Sequence, residues 1–236
     1  MALTQETFKR YEKKYLLSEK QYRAFLYDLS EYIQADKYGN YTICNIYYDT
    51  AFYELIQKSI SKPFYKEKLR LRSYGQVLED GEVFLEIKKK SEGIVYKRRK
   101  KMPLSVAVPY VEGRGNVESG GQIGRELDWF LTRYDVEPKV YIAYDREAYV
   151  SKEDERLRIT FDRKIRWRED RLDLSEDTAG ELLLEPDQIV MEIKIPGSIP
   201  FWLARLLSKH KIYPGSFSKY GTYYEQKLLK ERKHVK

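Results

Sequence analysis

Alternation of apolar and polar residues marks strands along much of this chain, and helical spacing marks the segments between them. From Phe8 to Leu17 the pattern alternates, with Arg10, Glu12 and Lys14 on one parity. Ser18-Glu-Lys-Gln21 then has the form of a capping box, and Tyr22, Phe25, Leu26, Leu29 and Ile33 follow at helical spacing. Tyr41–Tyr48, β-branched and aromatic, predicts a strand, and Ala51–Ile60 a short helix. Three long strands are predicted next, over Phe64–Tyr74, Glu82–Lys90 and Ile94–Met102, with Glu79-Asp-Gly81 and Glu92-Gly93 as hairpin turns. Arg114–Gly124, with four glycines, predicts a loop that leads into a helix at Ile123–Tyr134. Lys139–Val150 and Arg156–Ile165 predict another strand pair, and Gln188–Ile195 a late strand stopped by Pro196-Gly197. Pro200–His210 and Tyr220–Lys230 read as helices. No linker, repeat or low-complexity tract divides residues 1–236, so the expectation is one α+β domain.

The polar faces of these strands are unusual. Lys66, Lys68, Arg70 and Arg72 lie on one face, opposite Leu69 and Leu71. Glu86, Lys88 and Lys90 oppose Leu85 and Ile87, and Lys97, Arg99 and Lys101 share a third face. Tyr144 and Arg146 share a parity on the next strand, as do Arg156, Arg158, Thr160 and Asp162 on the one after it. Glu192 and Lys194 oppose Met191, Ile193 and Ile195. One reading is an antiparallel sheet with a wet, mixed-charge face. The other is a closed antiparallel β-barrel of about eight strands with flanking helices, its polar faces turned inward as a cation-lined tunnel. Cations so dense repel one another unless an anion or carboxylates sit among them, so the expected ligand of a tunnel is a polyanion.

Composition narrows the function classes. The 44 Lys and Arg exceed the 37 Asp and Glu, giving a formal charge of +7, and 22 tyrosines argue against disorder. Cys44 alone cannot form an intramolecular disulfide, and with two histidines the chain offers no Cys/His zinc site. A reducing, cytoplasmic setting is therefore expected. The opening MALTQETFKR has no apolar core of signal-peptide length, and no apolar run approaches the roughly 18 residues of a membrane span.

Seven motifs stand in order along the chain: Arg10-Tyr-Glu12-Lys-Lys14-Tyr15, Lys68-Leu-Arg70-Leu-Arg72, Phe84-Leu-Glu86-Ile-Lys88, Tyr144-Asp-Arg146, Arg158-Ile-Thr-Phe-Asp162, Met191-Glu192-Ile-Lys194 and Phe217-Ser218-Lys219-Tyr220. From about Phe8 to Tyr224 the chain thereby resembles the VTC catalytic domain, the polyphosphate polymerase branch of the triphosphate tunnel metalloenzymes. The resemblance implies a tunnel that moves the γ-phosphoryl of ATP onto a growing polyphosphate chain. It implies Lys14, Arg70, Arg72, Lys88, Lys97, Arg146, Arg158 and Lys219 as the catalytic phosphate ligands. Arg10, Tyr144, Lys194 and Ser218 would add substrate contacts, and Glu192, with Glu12 as a second ligand, would hold Mn²⁺ or Mg²⁺. ATP and inorganic polyphosphate or triphosphate are the implied partners; nucleic acid is not expected. Arg10 stands where the wider superfamily opens its motif with Glu, which favours the polymerase branch. Ser216 stands where the family often has another Lys.

The chemistry suits these residue types. Phosphoryl transfer depends on positioning and charge stabilisation, arginine presents a planar fork to phosphate oxygens, and lysine acts as a point charge. No neighbouring His offers Ser218 a general base, so it reads as a hydrogen-bonding group. Glu86 lies among cations and divides evenly between a structural and a binding role, and His210 reads as an exposed helix cap. Two other functions fit the same residues. One is a tunnel triphosphatase acting on inorganic, nucleoside or RNA triphosphate, and the other is a non-catalytic polyphosphate or nucleic-acid binding module.

Overall fold

The structure, a computed structural model, describes residues 11–61, 63–92, 94–115 and 121–234. Arg10 and the central residues of the glycine-rich segment at 114–124 lie outside these residues. The chain begins with β1 (Tyr11–Ser18), α1 (Glu19–Leu29), β2 (Ile33–Thr50) and α2 (Glu54–Ile60). The meander β3 (Tyr65–Tyr74), β4 (Glu82–Ser91) and β5 (Ile94–Pro103) follows, then α3 (Leu104–Val111) and α4 (Gly121–Arg133). The remainder is β6 (Val136–Ser151), β7 (Arg158–Arg168), β8 (Glu181–Leu182), β9 (Gln188–Ile195), α5 (Phe201–Lys209) and α6 (Lys219–His234).

Strand neighbours run β1-β9-β7-β6-β2-β3-β4-β5, with β8 added to β7, and β1–β9, β9–β7, β7–β8, β2–β3, β3–β4 and β4–β5 all pair antiparallel. The antiparallel α+β class is as expected. The path ends at β1 and β5 and does not return on itself among the described residues, so the pairing goes short of the closed barrel predicted from the faces.

The contacts resolve two compact units. The first holds the chain up to Tyr41, Asp145–Lys164 and Leu184–Phe217; the second holds Thr42–Tyr144, Ile165–Leu183 and the chain from Ser218. In the first, Tyr15 and Leu17 of β1, Ile159 and Phe161 of β7, and Met191 and Ile193 of β9 pack with Phe25 and Leu29 of α1 and with Leu203 and Leu207 of α5. In the second, Leu69, Leu71, Val83, Leu85 and Ile87 of β3 and β4 pack with Leu104 and Ala107 of α3 and with Leu127 and Phe130 of α4. Each of these strands thus spends one parity on a core, which leaves the other parity for chemistry.

Local signals explain most boundaries. The Ser18 hydroxyl accepts from the Gln21 N–H at 3.2 Å and Gln21 Oε1 accepts from the Ser18 N–H at 3.1 Å, so the capping box forms as read. Ile33 continues the helical spacing but belongs to β2, because α1 stops at Leu29. Gly81 closes the β3–β4 connection: its N–H donates to Leu78 O at 2.7 Å. A Cβ at Gly81 would stand 2.7 Å from that of Val77. Helix α3 was not expected, and Arg156 sits before β7 rather than on it, paired with Asp154.

Candidate phosphate-binding face and carboxylate cluster

In the second unit the strand registers convert alternation into rows. Asn45, Arg72, Phe84 and Lys101 are opposite one another across β2, β3, β4 and β5. The next row is Tyr47, Arg70, Glu86 and Arg99, and the one after it is Lys68, Lys88 and Lys97. Residues directly opposite share a face, so seven cations stand on three rows that hold one carboxylate, Glu86, and Lys101 also pairs with Glu82 of β4.

Glu86 is the hub. Its side chain is 2% exposed, and its Oε2 accepts from Arg70 Nε at 2.8 Å and Nη2 at 2.7 Å. Its Oε1 lies 3.0 Å from Arg72 Nη2 and 3.5 Å from Lys97 Nζ. Burial alone would raise the carboxyl pKa, but Arg70, Lys97 and Arg72 hold it down to about 2. Burial likewise works against the Arg70 charge, yet Tyr47, Glu86 and Tyr144 leave its pKa above the ordinary arginine value. Of the two roles weighed for Glu86 from sequence, the structure shows the pairing one, with Arg70, Arg72 and Lys97. The signal was present, since alternation puts Glu86 between Arg70 and Arg99, but alternation names a face and not a partner.

The first turn of α6 completes this face. Ser218 Oγ accepts from Lys68 Nζ at 2.9 Å and from the Gly221 N–H at 3.2 Å, so the hydroxyl caps α6 as well as meeting a cation. Lys219 Nζ stands 4.0 Å from the centre of the Tyr144 ring. Tyr220 stacks on Tyr47 with ring centres 4.8 Å apart, and its hydroxyl donates to Asp49 Oδ2 at 2.9 Å. Asp49 also accepts from the N–H groups of Thr50, Leu55 and Ile56, which caps α2. Burial raises the Asp49 pKa despite those bonds. Asp49 and Tyr220 were missed from sequence because they are 171 positions apart.

The predicted residues of the first unit form a different arrangement. Lys14 Nζ lies 3.7 Å from Glu12 and 4.0 Å from Glu192, and donates to Phe217 O at 2.9 Å. Lys194 is 3.0 Å from the other oxygen of Glu192. Arg146 grips Asp162 with Nε and Nη2 at 2.6 and 2.8 Å, and Arg158 pairs with Asp36. The registers set Lys14, Glu192 and Thr160 in one row and Glu12, Lys194 and Arg158 in the next.

Glu12 and Glu192 offer hard oxygen donors. Among the described residues no three His, Cys, Asp or Glu side chains form a metal-binding group. Two carboxylates fit a magnesium-like ion that keeps its other positions for water and phosphate. His210 is a cap as expected but not an exposed one: its side chain is 13% exposed and Nε2 lies 2.7 Å from Asp28 Oδ2. A notch of about 220 Å³ lined by Lys89, Gln122, Arg125, Glu126 and Trp129 is separate from the cationic face, since Lys89 alternates onto the side of Leu85 and Ile87.

No helix among the described residues is long and apolar enough to cross a membrane. The fold is shared with a candidate adenylate cyclase from Vibrio parahaemolyticus, at 16% identity and a TM-score of 0.52 over 93% of this chain and 99% of that one. It is also shared with HpAC1 of Hippeastrum, a candidate adenylyl cyclase described as having a dominant triphosphatase activity. That likeness has 17% identity and a TM-score of 0.57 over 92% of this chain and 96% of that one. No curated protein sequence matches the chain at a significant level. The VTC domain profile matches residues 9–227, and with nearly its whole length covered the chain belongs to the VTC domain family.

Proposed function

We propose that this chain is a cytoplasmic, ATP-dependent polyphosphate polymerase, one domain whose strands close into a tunnel. The observation that carries the reading is the face on which seven cations stand on three strand rows around Glu86, which itself binds Arg70, Arg72 and Lys97. Such a charge surplus is relieved by a polyanion, and triphosphate or polyphosphate supplies one with regularly spaced oxygens.

Arg70 and Arg72, oriented by Glu86, bind and align the phosphates as rigid forks. Lys88, Lys97 and Lys219, on flexible stems, follow the chain as it lengthens. Tyr144 and Ser218 add polar contacts. Lys14, Arg146, Arg158, Lys194 and Arg10 supply further cations. A terminal phosphate oxygen of the acceptor attacks the γ-phosphorus of ATP; the bond from that phosphorus to the β–γ bridging oxygen breaks, and ADP leaves. No protein nucleophile is needed. Mn²⁺ or Mg²⁺, held by Glu192 and Glu12, would neutralise charge on the phosphate oxygens when bound.

The test is to incubate purified protein with ATP and Mn²⁺ or Mg²⁺ and resolve the products on a polyphosphate gel. Acid-labile chains growing with time are expected. Orthophosphate alone would replace this reading with a tunnel triphosphatase, and neither product, with polyphosphate bound, would make the chain a binding module.

A further inference from the structure

Along β3 the residues on the cationic face are Lys66, Lys68, Arg70 and Arg72, and then Tyr74, so the ladder of charges ends in an aromatic ring. Arg72 is opposite Phe84 on β4. Tyr74 and Phe84 meet edge to face, ring centres 5.8 Å apart at 84°. The Arg72 guanidinium carbon lies 5.1 Å from the Tyr74 centroid and 5.6 Å from that of Phe84, and Arg99 lies 5.1 Å from Phe84. Arg72 Nη2 also donates to the Tyr74 hydroxyl at 3.2 Å. Arg72 is nearly buried, yet Tyr74 is 48% exposed. A half-exposed ring with a second ring perpendicular to it and a fixed arginine over it is a stacking surface rather than core filling.

We infer that Tyr74, Phe84 and Arg99 form a nucleobase subsite at one end of the phosphate ladder, an inference that rests on the reading of Arg70 and Arg72 as triphosphate ligands. It sets the direction of the nucleotide. The base stacks at Tyr74, Arg72 stands beside both base and phosphates, and the terminal phosphate points along β3 towards Lys68 and Ser218. Each two-residue step on β3 advances about 6.6 Å, so the ladder from Arg72 to Lys68 runs about 13 Å beyond the platform. Stacking uses the π-face that every base has, so the subsite accepts any purine nucleoside triphosphate and holds pyrimidines less well.

The test compares ATP, GTP and inorganic tripolyphosphate binding by calorimetry at one Mg²⁺ concentration, for wild type, Tyr74→Ala, Tyr74→Phe and Arg99→Gln. Tyr74→Ala is expected to weaken ATP and GTP alike by about tenfold, the scale of one lost base–aromatic stack. Tripolyphosphate, which has no base, should shift by less than twofold, and Tyr74→Phe should restore nucleotide binding. Arg99→Gln should weaken the nucleotides more than tripolyphosphate. An equal loss for all three ligands in Tyr74→Ala would overturn the subsite and make Tyr74 a support for Arg72. Unchanged ATP affinity in that variant, or wild type that does not bind ATP, would also overturn it. The readout is binding, so a wild-type protein that binds ATP but makes no polymer refutes the polymerase reading and still judges the subsite.

Discussion

In the second unit seven cations on three strand rows meet two carboxylates, Glu86 and Glu82, whereas in the first Lys14, Lys194, Arg146 and Arg158 are matched by Glu12, Glu192, Asp162 and Asp36. The same period-two alternation builds both faces. What differs is the charge left over. A balanced face satisfies itself, and adding a phosphate to it means displacing a carboxylate partner. A face with a surplus of cations favours an added anion. On the proposed reading, binding strength belongs mainly to the second unit, and the first supplies the carboxylates for a metal.

The strongest test of that division is Glu192→Gln. Turnover is expected to fall on the order of 10²-fold or more, as when a charge-stabilising group is lost. Tripolyphosphate binding should hold or tighten, because an anion has gone. Near-normal turnover at saturating Mg²⁺ would make Glu192 structural and collapse the contrast between the units.

Next in size is Glu86→Gln. Removing one partner of a buried ion-pair network costs about 3 kcal/mol. The folded-state pKa of Glu86 is depressed, so its contribution is full above the ordinary glutamate range and is lost as pH falls towards about 2. Denaturant melts from pH 5 to pH 2 should show a flatter acid slope for the variant than for wild type. Tripolyphosphate should restore more stability to the variant, since it replaces the missing negative charge. A parallel acid slope would mean that Glu86 is not the carboxylate carrying that loss.

Arg70→Ala comes third. Loss of a charge-assisted contact of about 2 kcal/mol predicts roughly thirtyfold weaker tripolyphosphate binding, with turnover falling in step. Binding should also decline as salt is raised, and less steeply in the variant. Full affinity in Arg70→Ala would place the anion elsewhere.

The smallest expected effect is that of Tyr220→Phe, which keeps the stack on Tyr47 but removes the hydroxyl from Asp49. A cost of about 1 kcal/mol in thermal or denaturant stability is expected. Combined with Tyr47→Leu, the two losses should not add, because both act on one contact.

Much of this was legible along the chain. The parities of β3, β4 and β9 named the charged faces, because each of these strands has a core on its other side to enforce register, whereas β5 buries only Met102. Helix α3 was not legible. Val106, Val108 and Pro109 argue against a helix, and it forms because Leu104, Ala107, Tyr110 and Val111 all reach the core. The site divides in the same way. Which cations share a face follows from counting by two, but the pairing of Arg146 with Asp162, of Arg158 with Asp36, and of Asp49 with Tyr220 depends on long-range packing.

The strand order ends at β5, where Lys97, Arg98, Arg99, Lys100 and Lys101 follow one another without a break. A terminal strand is where copies of a protein adhere, and five consecutive positive charges make two such strands repel. A long polyanion reverses the sign of that encounter.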